Sequence, residues 1–301
     1  MIEVRLPAVV VNPTKVDDPA TARNVVSAAL ASAGLPEPMW LETTADDPGR
    51  GQTGKALADG ADLVLAFGGD GTVRACATQL AGTDVPLGLV PVGTGNLLAR
   101  NLGVPLDLQE AVGVVAGGFR RRIDLMELDG EPYTVMGGSG FDAAVFEETS
   151  EALKAKVGWP AYVVAGLRAL RQVRPMDVEV VADGRAERVR AVGVLVGNVG
   201  RLTAGVPLLP EAQADDGLLH VAVLTPARAW DWAGLVVRVL ARRDPHPYQM
   251  RRFTAREVRL TWPTEVAVEV DGDVVDARRR LAFAVRPSAL SVCVPASDPA
   301  A

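Results

Sequence analysis

Residues 63–72, Leu-Val-Leu-Ala-Phe-Gly-Gly-Asp-Gly-Thr, decide how the chain is read. Leu63–Phe67 is a continuous apolar run, the pattern of a strand buried on both faces. It runs straight into Gly68-Gly69-Asp70-Gly71-Thr72, and Val73–Leu80 then reads as a helix. In open α/β sheets, ligands bind beyond the carboxyl ends of the strands. Glycines at such a corner let the backbone approach a phosphate with no Cβ in the way. The amides that open the helix attract anions. Asp70 is placed to hold Mg²⁺ directly or through water, and Thr72 to hydrogen-bond a phosphate. The competing reading is a plain strand–turn–helix corner that happens to be rich in glycine.

Working outward, the same grammar repeats. Leu87–Val90 is a second buried strand, followed by Pro91–Asn96 and a helical Leu97–Asn101. Gly93-Thr94-Gly95-Asn96 would form the second wall of one phosphate cleft. Ala8–Val11 is a short apolar run ending at Asn12-Pro13, a strand and a turn. Thr21–Ala33 is helical in pattern, with Gly34 as its stop. Strands and helices alternating through short loops imply an α/β domain with a parallel sheet.

The character changes near Asp124–Pro132. Strand-like segments follow at Tyr133–Met136, Asp177–Val181, Val189–Val196, Leu219–Leu224, Glu257–Thr261, Val266–Val270 and Leu281–Val285. Many are rich in Val and bounded by Gly, Asp or Pro, which suits an antiparallel β-domain. Helical stretches at Glu147–Val173 and Ala227–Arg243 interrupt it. The expected division is 1–126, rejoined by 286–301, and 127–285.

Composition bounds the function. At about 150 residues per domain, 301 residues make two domains or one large one. Hydrophobic residues at 49% and charged residues at 23% fit a globular protein. A net charge of −6 argues against a general nucleic-acid binder. Two cysteines and two histidines argue against a disulfide scaffold and against Cys- or His-rich metal chemistry. No signal-peptide pattern opens the chain, and no apolar run reaches the ~18 residues that a membrane span needs. A cytoplasmic location is expected. Only 4 of the 31 basic residues are lysine. Arginine runs such as Arg120–Arg122 and Arg278–Arg280 are therefore read as solvated rather than as phosphate sites.

Taken in order, Asn12-Pro13, Gly68–Thr72, Pro91–Asn96, Gly138–Asp142 and Asp215-Asp216-Gly217 resemble the diacylglycerol kinase catalytic-domain family. NAD kinases share the GGDGT motif, so the later segments carry the distinction. The resemblance implies an NAD kinase/diacylglycerol kinase-like α/β domain, a C-terminal antiparallel β-sandwich, and an active site in the cleft between them. It implies that Asn12, Thr44 (or Thr43), Gly68, Gly69, Asp70, Gly71, Thr72, Thr94 and Asn96 bind ATP. Asp70 would be the central Mg²⁺-linked carboxylate, and Asp124 would join its water network. Asp216 with the backbone carbonyls of Gln213 and Leu218 would form a structural metal loop. Asp273, in Val270-Asp271-Gly272-Asp273, stands where the family has the glutamate that takes the proton from the attacking hydroxyl. The chain departs from the family pattern at Leu97, at Ala75, at Thr14-Lys15 and at Asp273 itself, one methylene short.

The implied activity is transfer of the γ-phosphate of Mg-ATP to a lipid hydroxyl, with diacylglycerol as the favoured acceptor. An NAD-kinase-like small-molecule kinase and a non-catalytic nucleotide- or lipid-binding protein stay open as alternatives. Basic residues interleaved with aromatics around Trp159, and around Trp230 and Trp232, suit contact with an anionic membrane surface. A packed helix with a solvated arginine face is the other reading. The oligomeric state stays open, a homodimer among the options.

Overall fold

The computed structural model describes residues 4–139, 175–200, 208–226, 231, 234, 235, 237, 238 and 246–296. The chain divides into two compact units. One comprises Met1–Leu125, Glu131–Thr134 and Arg286–Ala301; the other comprises Met126–Gly130 and Val135–Val285.

In the first unit, β1 (Pro7–Val11) leads through α1 (Pro19–Ser32) to β2 (Met39–Glu42), and α2 (Arg50–Ala58) leads to β3 (Leu63–Gly68). Then come α3 (Asp70–Leu80), β4 (Leu87–Pro91), α4 (Leu97–Asn101), α5 (Leu108–Gly117), β5 (Arg120–Leu128) and β6 (Glu131–Tyr133). The strands β2-β1-β3-β4 pair in that order and all run parallel. Alternate residues of β1 and β3 point to opposite faces. Val9, Val11, Leu63, Leu65 and Phe67 pack against Val26 and Leu30 of α1 and Val112 and Val115 of α5. On the other face, Gly49 lies against Val10, Ala75 and Cys76. Both faces are covered, which is why these strands read as unbroken apolar runs.

Local chemistry sets the helix ends. Asp18 accepts from Thr21 N at 3.1 Å, and Pro19 sits in the first turn. The helix therefore opens two residues before the expected Thr21. Likewise α3 begins at Asp70, inside the glycine motif, with Gly69 as its N-cap.

The second unit holds β7 (Met136–Ser139), β8 (Met176–Ala182), β9 (Arg185–Ala191), β10 (Gly193–Gly197), β11 (Leu219–Leu224), β12 (Met250–Ala255), β13 (Glu257–Val270) and most of β14 (Asp273–Cys293). Every one of these pairings among the described residues is antiparallel. The strand β13 is shared: Val258–Thr261 pair with β8, and Val268–Val270 pair with β7. Between these two stretches the register with β14 slips, at a segment containing Pro263, which has no N–H to give. Two stretches expected as separate strands are thus one bent strand.

Other expectations change too. Tyr133–Met136 is not one strand but the end of β6 and the start of β7, divided between the units. Val189–Val196 breaks at Val192 into β9 and β10. The strands β5 and β12 were not foreseen. Within the arginine runs, Arg122 is ion-paired with Asp84, and Arg278 with Asp129 at 2.6 Å. The expected helix 147–173 lies outside the described residues. Of 227–243, the described residues 231, 234, 235, 237 and 238 are helical.

The β13–β14 hairpin turns on Asp271 (φ 52°) and Gly272 (φ 89°), both left-handed, as a two-residue type I′ turn requires. Asp271 is 3% exposed. Its Oδ1 accepts from Val135 N (2.9 Å) and Met136 N (3.0 Å), and its own N–H donates to Met136 O (2.8 Å). One side chain thereby fixes both the turn and the start of β7. Asp271→Ala leaves two buried amides unpaired and is expected to lower unfolding stability by about 2–4 kcal/mol. Urea denaturation measures this, and a loss under about 0.5 kcal/mol, the level of an ordinary surface change, would contradict it.

Candidate functional site

The first unit brings its two glycine loops together around one carboxylate. Asp70 accepts from Asn96 N at 2.8 Å through Oδ2 and from Leu97 N at 2.6 Å through Oδ1. It opens α3 and, from 26 residues away in sequence, also fills the capping role for α4. No room is left for side chains between the loops. A Cβ on Gly93 would lie 2.7 Å from Gly69 Cα, and a Cβ on Gly95 would lie 2.5 Å from Asp70 Oδ2. Asn96 holds the left-handed conformation (φ 49°, ψ 47°) and closes its own loop. Its Oδ1 accepts from Gly93 N at 3.0 Å, and its Nδ2 donates to Gly93 O at 2.6 Å. Thr72 is buried against Gly68, whereas Thr94 is exposed at the loop tip.

Asn12 reaches the same strand ends. Its N–H donates to Phe67 O at 2.9 Å, and its Oδ1 accepts from Thr14 N and Oγ1 at 3.1 and 2.8 Å. Thr44 is exposed in the loop after β2, where its Oγ1 accepts from Asp47 N at 3.1 Å. Asp124 is 1% exposed within β5, and its Oδ1 accepts from Ser288 N at 2.7 Å. A cavity of about 670 Å³ opens beside α3, lined by Arg50, Ala75, Thr78, Gln79 and Tyr133 among others. The Arg74 guanidinium lies 5.7 Å from the Tyr133 ring centroid. Ala75, where the family pattern has a glutamate, thus leaves space rather than charge.

In the second unit, Asp216 gathers its own loop. Oδ1 accepts from Leu218 N at 2.9 Å and Oδ2 from Gln213 N at 3.3 Å. His220 Nε2 lies 2.7 Å from Oδ2, with its side chain 9% exposed. The sequence signal for this pair was only an Asp-x-x-x-His spacing, and it was missed. The carbonyls of Gln213 and Leu218 are not acceptors in any turn or loop backbone hydrogen bond among the described residues. One carboxylate and two such carbonyls suit a hard divalent cation, so this donor set fits Mg²⁺.

The hairpin carries a second unforeseen residue. Glu269 pairs across strands with Val274 and Gly138, one step from the Val270–Asp273 pair. Burial pushes its carboxyl up to about 7, and the charge of Asp273 adds to that. Asp273 itself is exposed at the start of β14.

Two predictions follow from this geometry. Gly95→Ala must displace the Asp70 carboxylate, so it is expected to cost about 1–3 kcal/mol and to weaken nucleotide binding. Calorimetry with ATP tests this, and unchanged affinity would separate the Asp70 lock from nucleotide binding. For Glu269, the folded value lies above the ordinary 4.5. The native state therefore holds the proton more tightly than the unfolded chain, and stability falls as pH rises from about 4.5 to 7. Glu269→Gln is expected to match the wild type in thermal unfolding at pH 5. At pH 8 it is expected to exceed it, by up to about 3 kcal/mol. Equal stability at both pH values would contradict the shift.

Both parts of the chain match known protein families. Residues 7–128 match the model of the diacylglycerol kinase catalytic domain, and residues 135–294 match the YegS C-terminal NAD kinase beta sandwich-like domain. A protein from Pseudomonas aeruginosa PAO1 named "Probable lipid kinase YegS-like" is 32% identical over 247 residues, 81% of this chain and 80% of its own length. One of the same name from Pseudomonas savastanoi pv. phaseolicola is 33% identical over 248 residues, 82% of this chain and 80% of its own length. A diacylglycerol kinase structure from Bacillus anthracis strain Sterne superposes with a TM-score of 0.77 at 21% identity, covering 99% of this chain and 100% of that one. An NAD kinase from Archaeoglobus fulgidus in complex with ATP shares the fold at a TM-score of 0.53 and 13% identity, covering 98% of this chain and 94% of that one. With a diacylglycerol kinase catalytic domain followed by a YegS-type β-sandwich-like domain, the chain belongs to the YegS-like lipid kinase family.

Proposed function

We propose that this lipid kinase transfers the γ-phosphoryl group of Mg-ATP to the hydroxyl of diacylglycerol, giving phosphatidic acid. The observation that carries the reading is the double hydrogen bond from Asn96 and Leu97 to Asp70. It holds two glycine loops side by side at the carboxyl ends of neighbouring parallel strands, where phosphates bind in open α/β sheets.

In this reading the amides of Gly68–Thr72 at the start of α3 receive the phosphate oxygens. Thr94 and Asn12 stand on the flanking loops, and Thr44 approaches from the loop after β2. Because Gly93 and Gly95 carry no side chains, backbone rather than side chain would meet the nucleotide. Mg²⁺, brought with ATP, would neutralise charge on the phosphates, with Asp70 and Asp124 as its carboxylates in the first unit. A second Mg²⁺ would sit on Asp216 and the carbonyls of Gln213 and Leu218, tying that loop to β11. Asp273, exposed beside the hairpin turn, orients the acceptor hydroxyl. Catalysis of this kind is positioning plus electrostatics.

The acceptor lies in a bilayer, so the enzyme works at a membrane surface. No helix among the described residues is long and apolar enough to cross a membrane. Trp159, Trp230 and Trp232, the residues expected to touch lipid, lie outside the described residues.

Radiolabelled ATP with Mg²⁺ and a panel of hydroxyl lipids in mixed micelles tests the reading, with NAD as a control acceptor. Label is expected in diacylglycerol. Label only in NAD, or in no acceptor while ATP still binds, would overturn it. For the metal loop, Mg²⁺ at 100 times its dissociation constant is expected to raise stability by about 2.7 kcal/mol. Asp216→Asn should abolish that increment in a thermal shift measured with and without EDTA. A variant stabilised as much as the wild type would remove Asp216 from the metal site.

A further inference from the structure

The Asp216 loop touches a side chain that its ligand set does not use. His220 is the second residue of β11, and its side chain is 9% exposed. Cross-strand partners share a face of a sheet. On that face His220 has Gly197 of β10 on one side and Thr254 of β12 on the other. A Cβ on Gly197 would lie 2.7 Å from Leu209 Cδ1. Leu209 is buried there, and its N–H donates to Gly200 O at 3.1 Å. The segment that leads from Leu209 to Asp216 thus lies over the face that carries His220. That brings a carboxylate before the strand against an imidazole within it.

The contact uses up a defined part of the carboxylate. His220 Nε2 lies 2.7 Å from Asp216 Oδ2. An ionised carboxylate only accepts, so Nε2 carries the hydrogen and donates it. Gln213 N donates to the same oxygen at 3.3 Å, and Leu218 N donates to Oδ1 at 2.9 Å. Each carboxylate oxygen offers about two acceptor positions. Those on Oδ2 are filled by Gln213 and His220, and one on Oδ1 is filled by Leu218. Asp216 therefore has one oxygen, Oδ1, left for a cation. Without the imidazole it would have both.

That difference bears on which cation the loop takes. Ca²⁺ gathers about six to eight oxygen ligands and readily takes a carboxylate through both oxygens. Mg²⁺ is smaller, keeps several of its waters and asks less of each carboxylate. We propose that His220 is the positioning residue that makes Asp216 a one-oxygen ligand, and so sets the loop's preference for Mg²⁺ over Ca²⁺. The inference rests on the metal-loop reading given above, and goes beyond it in naming what fixes the ligand and what the loop rejects. In this role His220 acts through Asp216 alone, holding Oδ2 while Oδ1 serves with the carbonyls of Gln213 and Leu218. A merely structural His220, a buried donor satisfied by the nearest acceptor, would add stability without changing the order of the cations.

The test compares wild type, His220→Ala, His220→Leu, His220→Gln and Asp216→Asn as full chains free of nucleotide. Each is titrated calorimetrically with Mg²⁺ and with Ca²⁺, and unfolded thermally in EDTA and in each cation. Asp216→Asn defines the signal that comes from outside the loop. Wild type is expected to bind Mg²⁺ more tightly than Ca²⁺. His220→Ala should lower Mg²⁺ affinity by about 10–100-fold and Ca²⁺ affinity by less, so the preference narrows or reverses. His220→Leu, which fills the space but has no donor, should behave as the alanine variant does. His220→Gln, whose amide can donate to Oδ2, should restore the wild-type order. Alanine and leucine variants that lose stability in EDTA but keep the wild-type ratio of the two affinities would overturn the proposal. So would a wild type that binds Ca²⁺ as tightly as Mg²⁺, or a glutamine variant no better than alanine. A wild type that gains no more from Mg²⁺ than Asp216→Asn does would overturn the metal-loop reading itself, and the role of His220 with it. Thermal unfolding in EDTA shows independently that each variant is folded.

Discussion

The first unit turns on one carboxylate answering two backbone amides. Asp70 is the first residue of α3, and both its oxygens are directed by the N–H groups that open α4. A charged acceptor at two free amides is worth more than a neutral one, and it suits the positive end of a helix. The glycines then follow as a steric necessity, because the loops lie too close for side chains at Gly93 and Gly95. Asn96 needs a left-handed backbone to close the second loop, and asparagine is among the few residues that accept it readily. One interaction accounts for much of the motif's composition.

The second unit applies the same device to a hairpin. Asp271 and Asp216 each gather nearby amides onto one carboxylate, fixing a turn that presents other residues. The two sites differ in what they leave over. Around Asp216 the carbonyls of Gln213 and Leu218 remain outside the turn and loop backbone hydrogen bonds of the described residues. Around Asp271 the half-buried carboxyl of Glu269 remains, its pKa pushed up to about 7. In each case an aspartate does the structural holding.

Much of this is legible in the sequence where a strand ends in glycine. The apolar runs before Gly68 and Pro91 announce strands, and the Asp-Gly pair at 271–272 announces a hairpin. Strands without that punctuation stay hidden. The run Arg120-Arg121-Arg122 reads as a solvated tract, yet it opens β5, where Ile123 and Leu125 are buried. The bent β13 reads as two strands because Pro263 interrupts the pattern, although the chain does not turn there. Glu269 is one polar residue in an alternating Val-Ala-Val-Glu-Val stretch, which predicts exposure. Only the packing of the strands reveals its burial and the charge of Asp273 nearby. His220 is hidden for the same reason, since its partner Asp216 precedes the strand that carries it.

The first unit takes its final strand from far along the chain. Val292 pairs with Leu87 beside β4, and Ser288 donates to Asp124. During synthesis, residues 7–128 therefore leave the ribosome with an unpaired edge on β4, and the whole second unit must be made before that edge is filled. Contacts spanning such sequence separations form slowly, and an open edge in the interval is a template for aggregation. The N-terminal half thus depends, for one edge of its sheet, on the last strand of the chain.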